Sequence, residues 1–302
     1  DTNGWIPNSD IANALDHIPP PTQKGVFAYG STSGVVSLKN LLGSNGVIAA
    51  DVTGVGTARQ QIGATSYGGD KAIFAYGYTG GYVNMSNLVN TSGVIAADVT
   101  GVGTARYKVA AARFGGDKGI FAYGMKGGDA LTNVSNLVSN SGVVATDATG
   151  VGTARVITAG VGYGGDKAIF AFGNSASAGD YSLKNLVSNT GVIGSDVTGV
   201  GTARGALAAV SYGVGLAIYT YGIDAAGTYY TVRNLVSNVG VVAADASGAG
   251  TGRFFAATAA YGGDKGAIAY GDTGSVVSLK NLVSNTGVVA ANVTGVGTAR
   301  NA

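Results

Sequence analysis

The sequence predicts an all-β fold, a six-bladed β-propeller with four-stranded antiparallel blades of 47–49 residues. The first observation behind this prediction is a hexapeptide, Gly-Val-Gly-Thr-Ala-Arg, that recurs six times with little change. Its arginines are separated by 47, 49, 49, 49 and 47 residues. A period of this size, held along the whole chain, is the signature of a repeat architecture. The six arginines are Arg59, Arg106, Arg155, Arg204, Arg253 and Arg300.

Composition is the second observation. Glycine accounts for 53 of the 302 residues, there is no collagen period, and 46% of the residues are hydrophobic. Such a chain is typical of many short strands joined by tight turns and not of disorder. The formal net charge of +2 is too small for a nucleic-acid surface or for an anionic membrane surface. No apolar run is long enough to insert into a membrane, and the absence of cysteine excludes disulfide bonds.

The third observation is the pattern inside one unit. In the third unit we predict strand one at 109–112, strand two at 119–123, strand three at 133–138 and strand four at 143–146. Strand one is rich in small residues and strand two is apolar on both faces, which indicates a strand between two layers. Both features are typical of propeller blades. A β-solenoid is the alternative, but its rungs usually need about half this repeat length.

Domain organisation follows from where the repeats begin. Residues 1–23 match no repeat and include three consecutive prolines, so we predict a lead-in at 1–23 and the propeller at 24–302. Unit 1 lacks a first strand, and we expect the segment from Ile11 to Ile18 to supply it, so that both termini meet in one blade. We expect Trp5 to dock the lead-in onto the body. Because the chain opens at Asp1 without methionine, we expect it to be processed or excised from something longer.

Each unit also has an asparagine in strand three, always 19 residues before the next hexapeptide arginine. We number units 1 to 6 by these residues. All variation in length falls in the hairpin between strands two and three, which is two residues longer in units 3, 4 and 5. The asparagines are Asn40, Asn87, Asn136, Asn185, Asn234 and Asn281.

These hairpins are the candidate ligand-binding site. Variation on one face of a repeat protein often marks its binding face. The hairpins are rich in tyrosine, which offers a rigid apolar ring and a hydroxyl, and in hydrogen-bonding Asp and Asn, a mixture that suits glycans or protein surfaces. Exposed turns that vary without purpose are the alternative. The predicted ligand-binding residues are Tyr78, Tyr82, Asp129, Asp180, Tyr181, Asp224, Tyr229, Tyr230 and Asp272.

The other charged motifs favour structural roles. We expect the six arginines to form a ring in which each guanidinium bonds turn carbonyls or the acid or amide eight residues before it, tying neighbouring blades together. We interpret Gly-Gly-Asp-Lys as a turn. Gly-Val-Gly is not a dinucleotide-binding fingerprint, because no helix is predicted after it. His17, the only histidine, stands beside Asp16 but has no Ser, Cys or acid constellation around it for catalysis or metal binding. We therefore predict no enzyme, no cofactor and no metal site.

The repeat plan resembles a Kelch-type repeat: an arginine opening strand one, a glycine turn, an apolar strand ending in Tyr-Gly, then two further strands. It departs from that family in lacking, in most copies, the double glycine after strand two, and the later tryptophan. The variant GGDKAIFAYG followed by NLVSNTGVVAADVTGVGTAR resembles repeats in tail-fibre and virion-surface proteins of bacteriophages, notably marine and cyanobacterial ones. This second resemblance covers residues 24–300.

The resemblance to phage proteins implies a non-enzymatic protein of the virion surface, outside the cell. Its expected partners are a host-surface glycan or protein and other virion proteins, with no nucleic acid and no membrane insertion, and a homo-oligomer is a further expectation. The first functional hypothesis is a host-receptor-binding protein that uses the variable hairpins. The alternative is a purely structural capsid-decoration or tail-connector protein with no host ligand.

Overall fold

The computed structural model describes residues 22–175 and 179–302. The predicted lead-in strand at 11–18, Trp5 and His17 lie outside the described residues. The described chain is all-β, with a single 3-10 turn at Gly127–Asp129 as the one helical element among these residues. Its strands form seven small antiparallel sheets, six of three strands and one of two.

The strands follow the six units in order. Unit 1 contains β1 (Gly25–Ala28) and β2 (Lys39–Leu42); unit 2 contains β3 (Gly63–Tyr67), β4 (Lys71–Tyr78) and β5 (Tyr82–Val89). Unit 3 contains a short sheet of β6 (Arg106–Tyr107), β9 (Met125–Lys126) and β10 (Ala130–Leu131), and a main sheet of β7 (Ala110–Phe114), β8 (Lys118–Ala122) and β11 (Ser135–Val138). The later units contain β12 (Ala159–Tyr163), β13 (Lys167–Ser175) and β14 (Gly179–Val187); β15 (Ala208–Tyr212), β16 (Leu216–Thr220) and β17 (Arg233–Val236); and β18 (Ala257–Tyr261), β19 (Lys265–Ala269) and β20 (Lys280–Val283).

The first three predicted strands of unit 3 are present as β7, β8 and β11, with ends shifted by no more than two residues. The predicted fourth strand is wrong as a continuous strand. That segment touches strand three only through two isolated bridges, Val144 to Val138 and Ala148 to Ser135. One more residue lies between the bridges on the outer segment than on strand three, which interrupts the ladder in the manner of a β-bulge. The Asn136 side chain fills the interruption by donating to the carbonyl of Ala145 at 3.0 Å.

The core lies between successive sheets and is built from strand two. In β8 the residues Ile120, Phe121 and Ala122 are fully buried, because the strand is covered on both faces. Phe121 packs edge-to-face on Tyr76 of the preceding unit, with ring centroids 5.3 Å apart. Strand one has small side chains because the neighbouring unit packs closely against it. A Cβ at Gly63, for example, would lie 2.7 Å from the Phe121 ring.

Unit 1 is in contact with unit 6 and with the C-terminal residues. Phe27 of β1 packs edge-to-face on Tyr270 of unit 6, with ring centroids 5.7 Å apart. Asn301 forms an antiparallel bridge with Ser31 of unit 1, the same bridge that Gln60 makes with Tyr78 in unit 2. The last residues of the chain therefore complete the sheet of the first unit.

The two ends of strand two differ in character. At one end the Gly-Gly-Asp turn has two glycines with positive φ, +60° at Gly68 and +83° at Gly69, as predicted for a tight turn. The amide of Gly68 donates to the carbonyl of Asp117 in the next unit's turn at 2.7 Å, and similar bonds join the later turns. At the other end lie the variable hairpins. The sequence-variable loops of all units are therefore found on one side of the molecule.

Candidate functional site

The hexapeptide carries the chain from one sheet to the next. A Cβ at its first glycine in unit 1, Gly54, would lie 1.3 Å from the carbonyl oxygen of Ser37. Its second glycine, Gly56, has a φ of +88°, and a Cβ there would lie 2.5 Å from Oδ1 of Asp98 in unit 2. A side chain is excluded at both positions, one by close approach and one also by backbone conformation. The glycines are thus structural, and no helix follows them.

The arginine that ends the hexapeptide is fully buried in the unit that it enters. Arg59 donates from Nε to the carbonyl of Tyr76 at 3.0 Å, from Nη1 to the carbonyl of Thr57 at 3.1 Å and from Nη2 to Oδ1 of Asn87 at 2.5 Å. Its guanidinium also stacks on the Tyr29 ring of the preceding unit, 4.3 Å from the ring centroid. The arginine therefore ties two neighbouring units together, as expected.

Five of the six arginines have an acidic partner, and it differs from the one that the spacing suggests. Nη1 of Arg59 lies 3.8 Å from Oδ1 of Asp98, which stands 39 positions later, and not beside the acid eight positions earlier. Arg300 pairs in the same way with Asp51 of unit 1 at 3.7 Å. Sequence spacing misses this because the partner is supplied by the unit that the arginine enters.

Each carboxylate is held by the same set of donors. Asp98 accepts from the Thr57 hydroxyl at 2.6 Å, from the Thr57 amide at 3.0 Å and from Nδ2 of Asn87 at 2.9 Å. Burial opposes ionisation, but the hydrogen bonds from Thr57 and Asn87, and the charge of Arg59, hold the pKa of Asp98 below its usual value. Burial lowers the pKa of Arg59, Arg106 and Arg253, and it lowers the pKa of Arg204 to about 10, so Arg204 stays protonated at neutral pH.

Unit 6 has an amide where the others have a carboxylate, which gives a test of the ion pair. Asn292 accepts from the Thr251 amide at 3.2 Å, but no carboxylate of the described residues pairs with Arg253. We expect Asn292→Asp to raise the free energy of unfolding at pH 7 by about 0.2–1 kcal/mol, the range measured for exposed ion pairs. Urea unfolding of both proteins measures this difference.

The pH dependence of that gain has a definite sign. A carboxyl group whose pKa is lowered by folding stabilises the protein above its unfolded pKa of about 3.9, and the gain is lost as the pH falls through the folded pKa. The five natural aspartates have lowered pKa values, and we expect the same at position 292. The difference between variant and wild type should therefore shrink as the pH falls below about 3.9 and through the folded pKa. An equal difference at pH 7 and pH 3 would contradict the ion-pair account.

On the hairpin side, units 2 and 3 form what we call the tyrosine cluster, consisting of Tyr78, Tyr82, Tyr107 and Asp129. The ring centroids of Tyr78 and Tyr82 are 6.0 Å apart, and Tyr107 lies 5.5 Å from the first and 5.3 Å from the second. The three rings are half-buried, with part of each open to solvent. Lys108 lies over the Tyr107 ring, with Nζ 5.1 Å from its centroid.

The acid of this cluster comes from the neighbouring hairpin. The Tyr82 hydroxyl donates to Oδ1 of exposed Asp129 in unit 3. This hydrogen bond, followed by burial and the charge of Asp129, raises the pKa of Tyr82 to about 12. The hydroxyl therefore stays protonated and fixes the Tyr82 ring against the next hairpin. Two of the predicted tyrosines and one predicted aspartate are thus brought together.

A second aromatic group lies between units 5 and 6. We call Tyr229, Phe254 and Phe255 the phenylalanine cluster. The rings of Tyr229 and Phe254 are stacked, with centroids 5.6 Å apart and planes 15° apart. Phe254 also lies 5.2 Å from Phe255. Tyr229 is 40% exposed, so this cluster also reaches the surface.

The remaining predicted residues make local contacts. Asp180 accepts from the amide of Ala225, joining the hairpins of units 4 and 5. Asp224 accepts from the Tyr230 hydroxyl at 2.7 Å within its own hairpin. Asp272 accepts from the amide of Gly274 at 2.8 Å and from the Asn301 side chain at 3.3 Å. Tyr181 faces Gly173 across β13 and β14. These contacts order the hairpins and do not assemble a further cluster.

Sequence reasoning missed Tyr107, Phe254 and Phe255. These residues follow the hexapeptide arginine, in a segment whose length is the same in every unit. The predicted ligand-binding residues come from the hairpins, where both length and sequence vary. A signal was present, because the residue after the arginine differs in every unit: Gln60, Tyr107, Val156, Gly205, Phe254 and Asn301.

The opposite side has a cavity of about 200 Å³. It is lined by equivalent strand-one residues, including Ser66, Arg113 and Ser211, and by the Gly-Gly-Asp-Lys turns. The turn lysines Lys167 and Lys265 are each neutralised by the preceding aspartate at 2.8 Å. In the described ranges no three His, Cys, Asp or Glu residues gather as metal ligands would. Within the same ranges no helix is long and apolar enough to cross a membrane.

Comparison with protein-family models and with curated proteins finds no match to this chain. The resemblance to Kelch-type and phage repeats therefore rests on the quoted motifs alone.

Proposed function

We propose that the six units form a six-bladed β-propeller. The proposal is supported by six equivalent buried arginines, each of which stacks on the preceding unit and bonds the unit that it enters. It is supported also by closure of the series, since Arg300 stacks on Tyr270 of unit 6 at 4.0 Å and donates to Asn40 of unit 1 at 2.6 Å. In this proposal the fourth strand of the predicted blade is replaced by the bulged outer segment that follows strand three.

We further propose that this propeller is a non-enzymatic binding module for a saccharide of a bacterial surface. The tyrosine cluster carries this proposal. An exposed aromatic ring offers an apolar face for the C–H face of a sugar ring, while hydroxyl and carboxylate groups bond its hydroxyls. Tyr82 is held by Asp129, and the Tyr78 and Tyr107 rings pack on it, so the rings need little ordering on binding.

The biological setting comes from the resemblance to phage repeats. It suggests a virion-surface or tail-fibre protein that attaches to its host through the hairpin side. Other virion proteins are its expected neighbours.

The test uses labelled protein on an array of purified bacterial capsular polysaccharides and O-antigens, and on whole bacterial cells. We expect the wild type to bind, and Tyr107→Gln to weaken binding at least tenfold, because it removes the central ring of the cluster. Glutamine is the natural residue at this register in unit 2, so the variant should fold. Val143→Gln, which changes a side chain 64% exposed on the outer segment, is the matched control and should bind normally.

Two outcomes would change the proposal. If the wild type binds neither polysaccharide nor cells, the saccharide-binding proposal is wrong. Binding to cells that is lost after protease treatment, with no binding to any polysaccharide, would identify a surface protein as the receptor instead.

A purely structural protein of the virion is the second candidate function, and one observation favours it. An exposed valine recurs at the equivalent position of the outer segment in all six units, between 53% and 65% exposed. Such a repeated apolar rim suits contacts with neighbouring virion proteins. Loss of assembly in Val143→Gln without loss of cell binding would favour this role for the rim. The six residues are Val47, Val94, Val143, Val192, Val241 and Val288.

A further inference from the structure

The two aromatic clusters occupy equivalent places in the repeat. Tyr82 and Tyr229 each stand five residues before the strand-three asparagine, and Tyr107 and Phe254 each follow a hexapeptide arginine. Both pairs are 147 positions apart, which is three repeat lengths of 49. The two clusters are therefore three units apart in a series of six.

Aromatic residues occur at these two registers only where they meet. At the first register the other units have Val35, Leu131, Asp180 and Val276; at the second they have Gln60, Val156, Gly205 and Asn301. A ring at the first register in one unit is always matched by a ring at the second register in the next. Scaffold packing does not require the rings, because four of the six junctions do without them.

The clusters differ in polarity. In the tyrosine cluster, Tyr78, Lys108 and Asp129 lie beside the rings of Tyr82 and Tyr107. In the phenylalanine cluster, the position equivalent to Lys108 is Phe255 and the position equivalent to Tyr78 is Ile223. Both offer a flat ring surface, but the second has fewer hydrogen-bonding groups. The pair is therefore suited to two different sugar rings of one repeating polymer, the less polar ring lying on the phenylalanine cluster.

We propose that the phenylalanine cluster is a second saccharide-binding subsite, so that one chain engages a repeating surface polysaccharide at two places. This inference rests on the proposed saccharide-binding function. Linking two weak sites through one polymer raises the apparent affinity by about 10²–10⁴ without any new contact. Two clusters three units apart give the chain this advantage with a single copy.

The experiment compares Phe254→Gln, Tyr107→Gln, the double variant and the Val143→Gln control. Each is tested on purified capsular polysaccharides and O-antigens, printed both as polymers and as single repeating units. We expect Phe254→Gln to weaken binding to the polymer about 100-fold but binding to the single unit by no more than about twofold, because the tyrosine cluster remains. The double variant should lose both. Thermal melting of each variant checks that it is folded.

The outcomes separate this inference from the function on which it rests. If Tyr107→Gln loses polymer binding while Phe254→Gln keeps it in full, the second subsite is wrong and the saccharide-binding function stands. If Phe254→Gln weakens polymer and single unit equally, one continuous site replaces two. If the wild type binds no polysaccharide, both proposals fail.

Discussion

Gly199→Ala is expected to cost about 3 kcal/mol or more of the free energy of unfolding, enough to prevent folding in a marginal chain. Gly199 is the first glycine of the hexapeptide in unit 4, and a Cβ there would lie 1.2 Å from the carbonyl oxygen of Ser182. The Ser182 carbonyl belongs to the backbone and cannot rotate away from the added methyl group, so either the hexapeptide or strand three must move. The yield of folded protein and the urea midpoint measure the effect.

Gly194→Ala is a matched control in the same unit. The nearest atom to a Cβ at Gly194 is the Leu186 carbonyl oxygen at 3.4 Å, an ordinary contact, and the backbone there does not have positive φ. Every other unit has alanine at this register. We expect this variant to be as stable as wild type or more stable by about 0.4–1 kcal/mol, because alanine restricts the unfolded chain. Equal loss of stability in both variants would contradict the proposed close approach.

Arg155→Met is expected to cost about 3–5 kcal/mol, the range for removing one partner of a buried charged network. Arg155 is fully buried and donates to Phe172 at 2.9 Å and to Asn185 at 2.7 Å. Methionine fills much of the space but leaves these acceptors without a donor, and it loses the stacking on the Tyr123 ring at 4.2 Å. Urea unfolding followed by circular dichroism measures the change.

The control for this variant is Arg113→Met. Arg113 is half-buried, and within the described ranges it makes only a long hydrogen bond, 3.5 Å to the carbonyl of Gly165. We expect its replacement to change stability by less than about 1 kcal/mol. A loss at Arg155 no larger than the loss at Arg113 would show that the buried arginines are dispensable.

The features predictable from the sequence were those that the units repeat. The period and strand two could be read from one copy and checked in five others, and the Gly-Gly-Asp turn could be read from one copy and checked in three others, because their geometry depends on neighbouring residues in the chain. The glycine after the aromatic residue of strand two is such a case: Gly77 has a φ of +115°, a backbone conformation that glycine adopts without strain.

Contacts between units were harder to predict. Arg59 pairs with Asp98 and not with the acid nearer in sequence, because the hexapeptide crosses into the next sheet. The spacing of the residues in the sequence does not show this crossing. Tyr107 reaches the hairpin of the preceding unit for the same reason. The interrupted outer strand also escaped prediction, because an apolar segment reads as a strand whether or not a side chain such as Asn136 replaces part of its ladder.

The arginine network has a consequence for how such a chain can change in length. Every junction uses the same chemistry: an arginine arrives, stacks on an aromatic ring of the unit behind, and binds an asparagine of the unit ahead. Removing the 49 residues 107–155 would leave Arg106 at the start of the following unit, facing Asn185 in the role of Arg155, on the Tyr76 ring in place of Tyr123. The local chemistry therefore does not count the units. In the proposed propeller their number is set by the angle between neighbouring blades, so recombination between repeats would produce chains whose junctions are sound and whose ring is too tight or too open.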